Sequence, residues 1–151
     1  MHHLIGIARR KRGRRGFTLV ELLVVIVVLA VLAAIVLPKF MNSGTRGKES
    51  ALKTDLKLLR NAVTLFHTDT GVYPASLAAL AATTAPGTGL DSTGTSASIT
   101  ATDWHGPYLE SVPNDPVSGS ALNYSTASGT VGKVTSSASG NGLDGTAYST
   151  W

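Results

Sequence analysis

The apolar positions of this chain fall into three regimes. From Phe17 to Leu37 the sequence reads FTLVELLVVIVVLAVLAAIVL, an unbroken apolar run whose only charge is Glu21. As a helix, this run would extend about 31 Å, enough to cross the hydrocarbon core of a bilayer. Val and Ile are poor helix formers in water, but hydrocarbon leaves backbone groups no partner except one another and so enforces the helix. A buried core helix is the competing reading, and no other segment is apolar enough to enclose this one. After Pro38 the pattern becomes helical and one-sided: Leu52, Leu56, Leu59, Val63 and Phe66 recur at spacings of four and three, while Lys53, Lys57 and Arg60 fall away from that stripe. This half should lie against a small sheet. Beyond residue 70 the pattern weakens into short pieces separated by turn residues.

Punctuation sets the expected boundaries. Pro38 should kink or loosen the helix, Gly44 and Gly47 are further weak points, and Gly71 followed by Pro74 should stop it. Glu49 and Lys53 are spaced for an i,i+4 ion pair. Residues 76–82 read as a short helix and 83–103 as a Thr/Ser/Gly/Ala-rich loop. Strands are expected near 107–112, 121–126 and 130–135. Asn141-Gly142 and Asp144-Gly145 signal turns near the end of the sequence. Trp104, Tyr108, Tyr124, Tyr148 and Trp151 supply the sizeable aromatic surface of this region, so its core should be thin and rest on the helix. The expected fold class is α+β: a long N-terminal helix, apolar then amphipathic, packed on a small antiparallel three-stranded sheet. The expected organisation is a leader at 1–16, a transmembrane helix at 17–38, an amphipathic helix at 39–70 and a head at 71–151.

Charge changes the picture because it is segregated. The chain has 151 residues and a formal net charge of +4. Arg9, Arg10, Lys11, Arg12, Arg14 and Arg15 crowd the first sixteen residues without an acid. Residues 39–60 carry Lys39, Arg46, Lys48, Lys53, Lys57 and Arg60 against Glu49 and Asp55. Beyond Arg60, Lys133 alone opposes Asp69, Asp91, Asp103, Glu110, Asp115 and Asp144. A basic cluster can neutralise nucleic-acid phosphates. Placed just before a long apolar run, it is better explained as the flank that stays cytoplasmic while the rest is sent outward. The acidic head argues against nucleic acid as a partner. A cleavable secretory signal would have a shorter apolar region ending in small residues. With no cysteine in the sequence there is neither a disulfide framework nor a thiolate metal site. His67 and His105 do not sit in a zinc-ligand spacing, and no Gly-x-Ser-x-Gly elbow occurs, so no catalytic constellation is expected and the chain reads as a non-enzyme.

Residues 15–38, RGFTLVELLVVIVVLAVLAAIVLP, resemble the class III signal of type IV prepilins and type II secretion pseudopilins: a basic leader, a Gly, a Phe, and an apolar helix with Glu fifth after the Gly. The resemblance implies that a membrane prepilin peptidase cuts between Gly16 and Phe17 and methylates the new Phe17 amine. It also implies that Glu21 acts in assembly, with Pro38 marking the end of the assembly helix. The charge logic agrees, since a carboxylate in hydrocarbon needs a partner, and the cut removes six competing cations while creating an amine. Tyr73-Pro74 and WHGPYLESVPNDP, residues 104–116, resemble the major pseudopilin of type II secretion. Such proteins end in an acid-rich loop that binds calcium close to a final Trp. Here Asp144 and Asn141 are the candidate ligands beside Trp151, without the adjacent acids of that pattern. The function implied is a structural subunit of a type II secretion pseudopilus, with a type IV pilus subunit as the alternative. The implied partners are other pilin-like subunits in a homopolymer, the prepilin peptidase, an inner-membrane assembly platform and the membrane. The implied location is the bacterial inner membrane, single-pass, with the head in the periplasm.

Overall fold

The computed structural model describes residues 16–151; the basic leader cluster at 9–15 lies outside the described residues. One helix, α1, runs Leu19–Thr70 and passes through Pro38 in helical conformation. The chain divides into two compact units between Phe40 and Met41.

In the first unit α1 is apolar on every side. The large apolar residues from Phe17 to Phe40 are between 44 % and 85 % exposed, and among the described residues no face of this segment is covered.

In the second unit α1 is amphipathic, and its buried stripe is the core. Leu52, Leu56, Leu59, Val63 and Phe66 are each at most 4 % exposed. Leu77, Leu80, Ile99, Leu109, Leu122, Val134 and Tyr148 close over them. Leu58 lies on the opposite face and is 49 % exposed. Replacing Leu56 with Ala should therefore cost the head about 2–4 kcal/mol, whereas Leu58→Ala should stay within about 0.5 kcal/mol. Urea unfolding followed by tryptophan fluorescence would show equal midpoints for the two variants if the stripe did not carry the core.

The helix stops where Gly71 takes φ +74°, a left-handed conformation suited to glycine, and its N–H closes onto the His67 carbonyl at 2.9 Å. A 3-10 turn follows at Leu77–Ala81 and buries Leu77 and Leu80. The expected three-stranded sheet is replaced by two separate antiparallel pairs: β1 (Thr88–Leu90) with β2 (Ser96–Ser98), and β3 (Asn123–Tyr124) with β4 (Val134–Thr135). Composition explains this. Ser, Gly and Ala make poor strands, so pairing persists only for two or three residues where a tight turn supports it.

Two local expectations change for the same kind of reason. Residues 83–103 are not wholly loop, because Asp91 Oδ1 accepts the Thr93 and Thr95 N–H groups at 2.8 and 2.9 Å and forms the turn between β1 and β2. Residues 107–112 form no strand: Pro107 has no N–H to give, and the Tyr108 and Leu109 amides both donate to the Leu80 carbonyl, at 2.9 and 3.1 Å.

Candidate assembly site and the anchors of the head

Thr18 and Glu21 cap the start of α1. Glu21 Oε2 accepts hydrogen bonds from the Thr18 N–H and hydroxyl, both at 3.0 Å, and the Glu21 N–H donates to Thr18 Oγ1 at 3.2 Å. This is a capping box, in which a Thr and a Glu three residues later satisfy each other's orphan donors. It matters more in hydrocarbon, where water cannot serve those donors. Glu21 is thus satisfied within its own helix while standing at the head of an exposed apolar cylinder. Gly16 and Phe17 precede the cap outside any regular secondary structure. Pro38 lies within the helix, near the division between the two units.

The head is tied to the amphipathic half of α1 by polar groups that the stripe does not include. Arg60 donates from Nε and Nη2 to the Val134 carbonyl at 3.1 and 2.8 Å, which fixes β4 to the helix. Asp69 Oδ2 accepts the Tyr108 hydroxyl at 2.9 Å, while the Tyr108 ring meets Phe66 edge-on at 5.4 Å. The GPYL stretch is therefore a clasp between the helix end and the 3-10 turn. Burial raises the Tyr108 hydroxyl above its ordinary value, the His105 amide opposes that, and Asp69 adds to it. Tyr124, whose hydroxyl donates to the Pro74 carbonyl at 2.6 Å, is pushed by burial, with a smaller contribution from Tyr73, up to about 12.

Asp115, the acid of the NDP segment, is fully buried. Its Oδ1 accepts the Val117 and Ser118 amides at 2.8 and 3.2 Å, and its Oδ2 accepts the Ser136 hydroxyl and the Ser137 amide. One carboxylate thus joins the turn at 115–120 to the segment after β4. Burial by itself would raise its pKa, but the Ser136 hydroxyl and the three amides outweigh it and hold the carboxyl below the usual range.

The sequence-derived pair Glu49–Lys53 is not formed. Glu49 turns inward and is 8 % exposed; its Oε1 accepts the Leu143 amide and the Tyr148 hydroxyl, both at 2.8 Å. That hydrogen bond, with burial, raises the Tyr148 hydroxyl. Lys53 reaches Asp144 Oδ2 at 3.5 Å and lies 4.0 Å from the centre of the Trp151 ring. Partners in the C-terminal segment thus replace the local one. Asp144 Oδ1 accepts the Thr146 N–H and hydroxyl at 2.9 and 2.6 Å; these bonds, then Lys53, hold its carboxyl low. Asn141 forms an antiparallel bridge with Ala147. Among the described residues, no group of three or more His, Cys, Asp or Glu side chains could hold a metal ion.

The capping box does carry a local sequence signal, Thr-x-x-Glu before an apolar run. Glu49, Asp69 and Asp115 carry no such local signal, because each is defined by partners far away in the chain.

Comparison with known proteins connects both units to characterised relatives. Residues 11–37 match the model of the prokaryotic N-terminal methylation motif, and residues 39–148 match that of type II secretion system protein G. The chain is 31 % identical over 106 residues to the type II secretion system core protein G of Aeromonas hydrophila, covering 70 % of this chain and 69 % of that one. It is 32 % identical over 66 residues to the core protein G of Pseudomonas aeruginosa, covering 44 % of this chain and 46 % of that one. It is also 39 % identical over 59 residues to the type IV major pilin protein of Myxococcus xanthus, covering 39 % of this chain and 27 % of that one. The chain thus spans less than half the length of the Myxococcus and Pseudomonas relatives. No solved structure matches it.

Proposed function

We propose, from the premise that this chain belongs to the type II secretion system protein G family, that it is a structural subunit of a secretion pseudopilus and polymerises through the apolar half of α1. The observation that carries this reading is the apolar segment itself, exposed on all sides and bearing one carboxylate at its start. A simple anchor has no use for that carboxylate beyond the helix cap it forms with Thr18. A helix that leaves lipid to pack among copies of itself does, because the group can meet an amine there and both charges are neutralised.

In this reading the apolar helix first holds the subunit in the bacterial inner membrane, with the basic leader cytoplasmic and the head in the periplasm. A prepilin peptidase cuts between Gly16 and Phe17 and methylates the Phe17 amine. An assembly platform then draws the subunit into a filament that supports protein export. The amphipathic half of α1 carries the head on the filament surface. The match of residues 39–148 to the protein G model supports a secretion filament over a surface pilus.

The expected mature protein begins at methylated Phe17. Intact-mass analysis of membrane fractions from cells with prepilin peptidase tests this, and retention of residues 1–16 would contradict it. Gly16→Val should block the cut. A Cβ at Gly16 meets no described atom within 4 Å, so loss of processing in that variant reports on the peptidase and not on a damaged fold.

A further inference from the structure

Glu49 and Lys53 stand one turn apart on α1, yet both reach into the same C-terminal segment. Glu49 holds it from below through the Leu143 amide and the Tyr148 hydroxyl. Lys53 covers it from the solvent side, between Asp144 Oδ2 and the Trp151 ring. Trp151 Nε1 donates to the Thr146 hydroxyl, and that hydroxyl donates to Asp144 Oδ1. The indole lies so close over Gly142 that a Cβ there would sit 2.5 Å from a ring atom. The turn is closed around one cation, and that cation is a side chain.

We infer that Lys53 is the structural cation of the C-terminal turn, so that the head folds onto α1 without calcium. Calcium takes about six to eight oxygen ligands at roughly 2.3–2.6 Å. The donors here do not fit it. One oxygen of Asp144 is engaged twice by Thr146, and the other faces the Lys53 ammonium. The Gly142 and Thr146 carbonyls accept the Gly145 and Gly142 amides, and the Glu49 oxygen nearest the turn accepts two donors. A calcium ion would have to displace Lys53 as well as break the hydrogen bonds that form the turn. The ammonium also gains from the indole face, as a cation stacked on Trp does.

The inference concerns the folded head, so it stands or falls independently of filament assembly. The test uses the full chain in detergent micelles, with thermal unfolding followed by tryptophan fluorescence in a calcium chelator, in millimolar calcium and in millimolar magnesium. The wild-type midpoint should agree within about 1 °C across the three conditions, since a ligand far above its Kd would raise it by several degrees or more. Lys53→Met keeps the aliphatic stem and removes the charge; its midpoint should fall by roughly 3–6 °C, equally with and without calcium. Lys53→Arg should recover most of that loss. A calcium-specific rise of more than about 3 °C in the wild type would overturn the inference, whatever the variants do. So would a Lys53→Met protein that melts like the wild type.

Discussion

Replacing Asp115 with Ala should destabilise the head by roughly 3–5 kcal/mol, a large share of the 5–15 kcal/mol that typically holds a domain together. The carboxylate is fully buried and accepts four donors, from Val117, Ser118, Ser136 and Ser137. Removing it takes the acceptor away from a hydroxyl and three amides. Asp115→Asn should do less harm, because the amide oxygen can still accept, but its NH2 group then faces donors on one side. Denaturant unfolding of the three proteins measures this. An Ala variant within 1 kcal/mol of wild type would show that water replaces the carboxylate without loss.

The same group sets an acid limit. Its folded pKa is held below the ordinary value of 3.8, so the stabilisation is fully present above that value and is lost as pH falls through the folded pKa. Stability should therefore be level in this respect from neutral pH to about 4 and decline below it. Asp115→Asn should flatten that decline. A wild-type loss centred well above pH 4 would assign the acid limit to another group.

What could be read from the sequence was periodic or punctuated. The stripe Leu52, Leu56, Leu59, Val63 and Phe66 follows from spacing alone, because an apolar row on a helix has one way to be buried. Gly71 as the helix stop follows from its freedom at positive φ. The sheet was less legible, since Ser/Thr/Gly-rich pieces carry almost no alternation and their pairing is decided by turn chemistry such as the Asp91 loop. Long-range polar anchors were not legible at all. Glu49 meets Leu143 and Tyr148 from 94 and 99 residues away, and Asp115 meets Ser136 from 21. The i,i+4 rule proposes Lys53 for Glu49 because the sequence presents only local neighbours. In the fold a buried acid gains more from two fixed donors than from an ammonium that Asp144 and the Trp151 ring already engage.

Glu21→Ala should leave insertion and cutting intact and still lower the filament fraction roughly tenfold or more, the scale expected when one partner of a desolvated ion pair is lost. Within the single chain Glu21 is satisfied by Thr18, so the isolated subunit needs no amine from elsewhere. In the proposed filament the incoming Phe17 amine of a neighbour would supply a partner of opposite charge, and meeting it would fix the axial register. Two variants separate the roles. Glu21→Gln keeps an oxygen for the Thr18 donors but carries no charge, whereas Glu21→Ala loses both. If charge sets the register, both assemble poorly; if the cap alone matters, Gln assembles normally. The decisive measurement is the sheared or crosslinked filament fraction relative to total processed protein, for wild type, Gln and Ala side by side. The account predicts abundant filaments from wild type and few from either variant at equal levels of protein beginning at Phe17. Normal filament yield from processed Glu21→Ala would contradict it, because apolar packing alone would then fix the register.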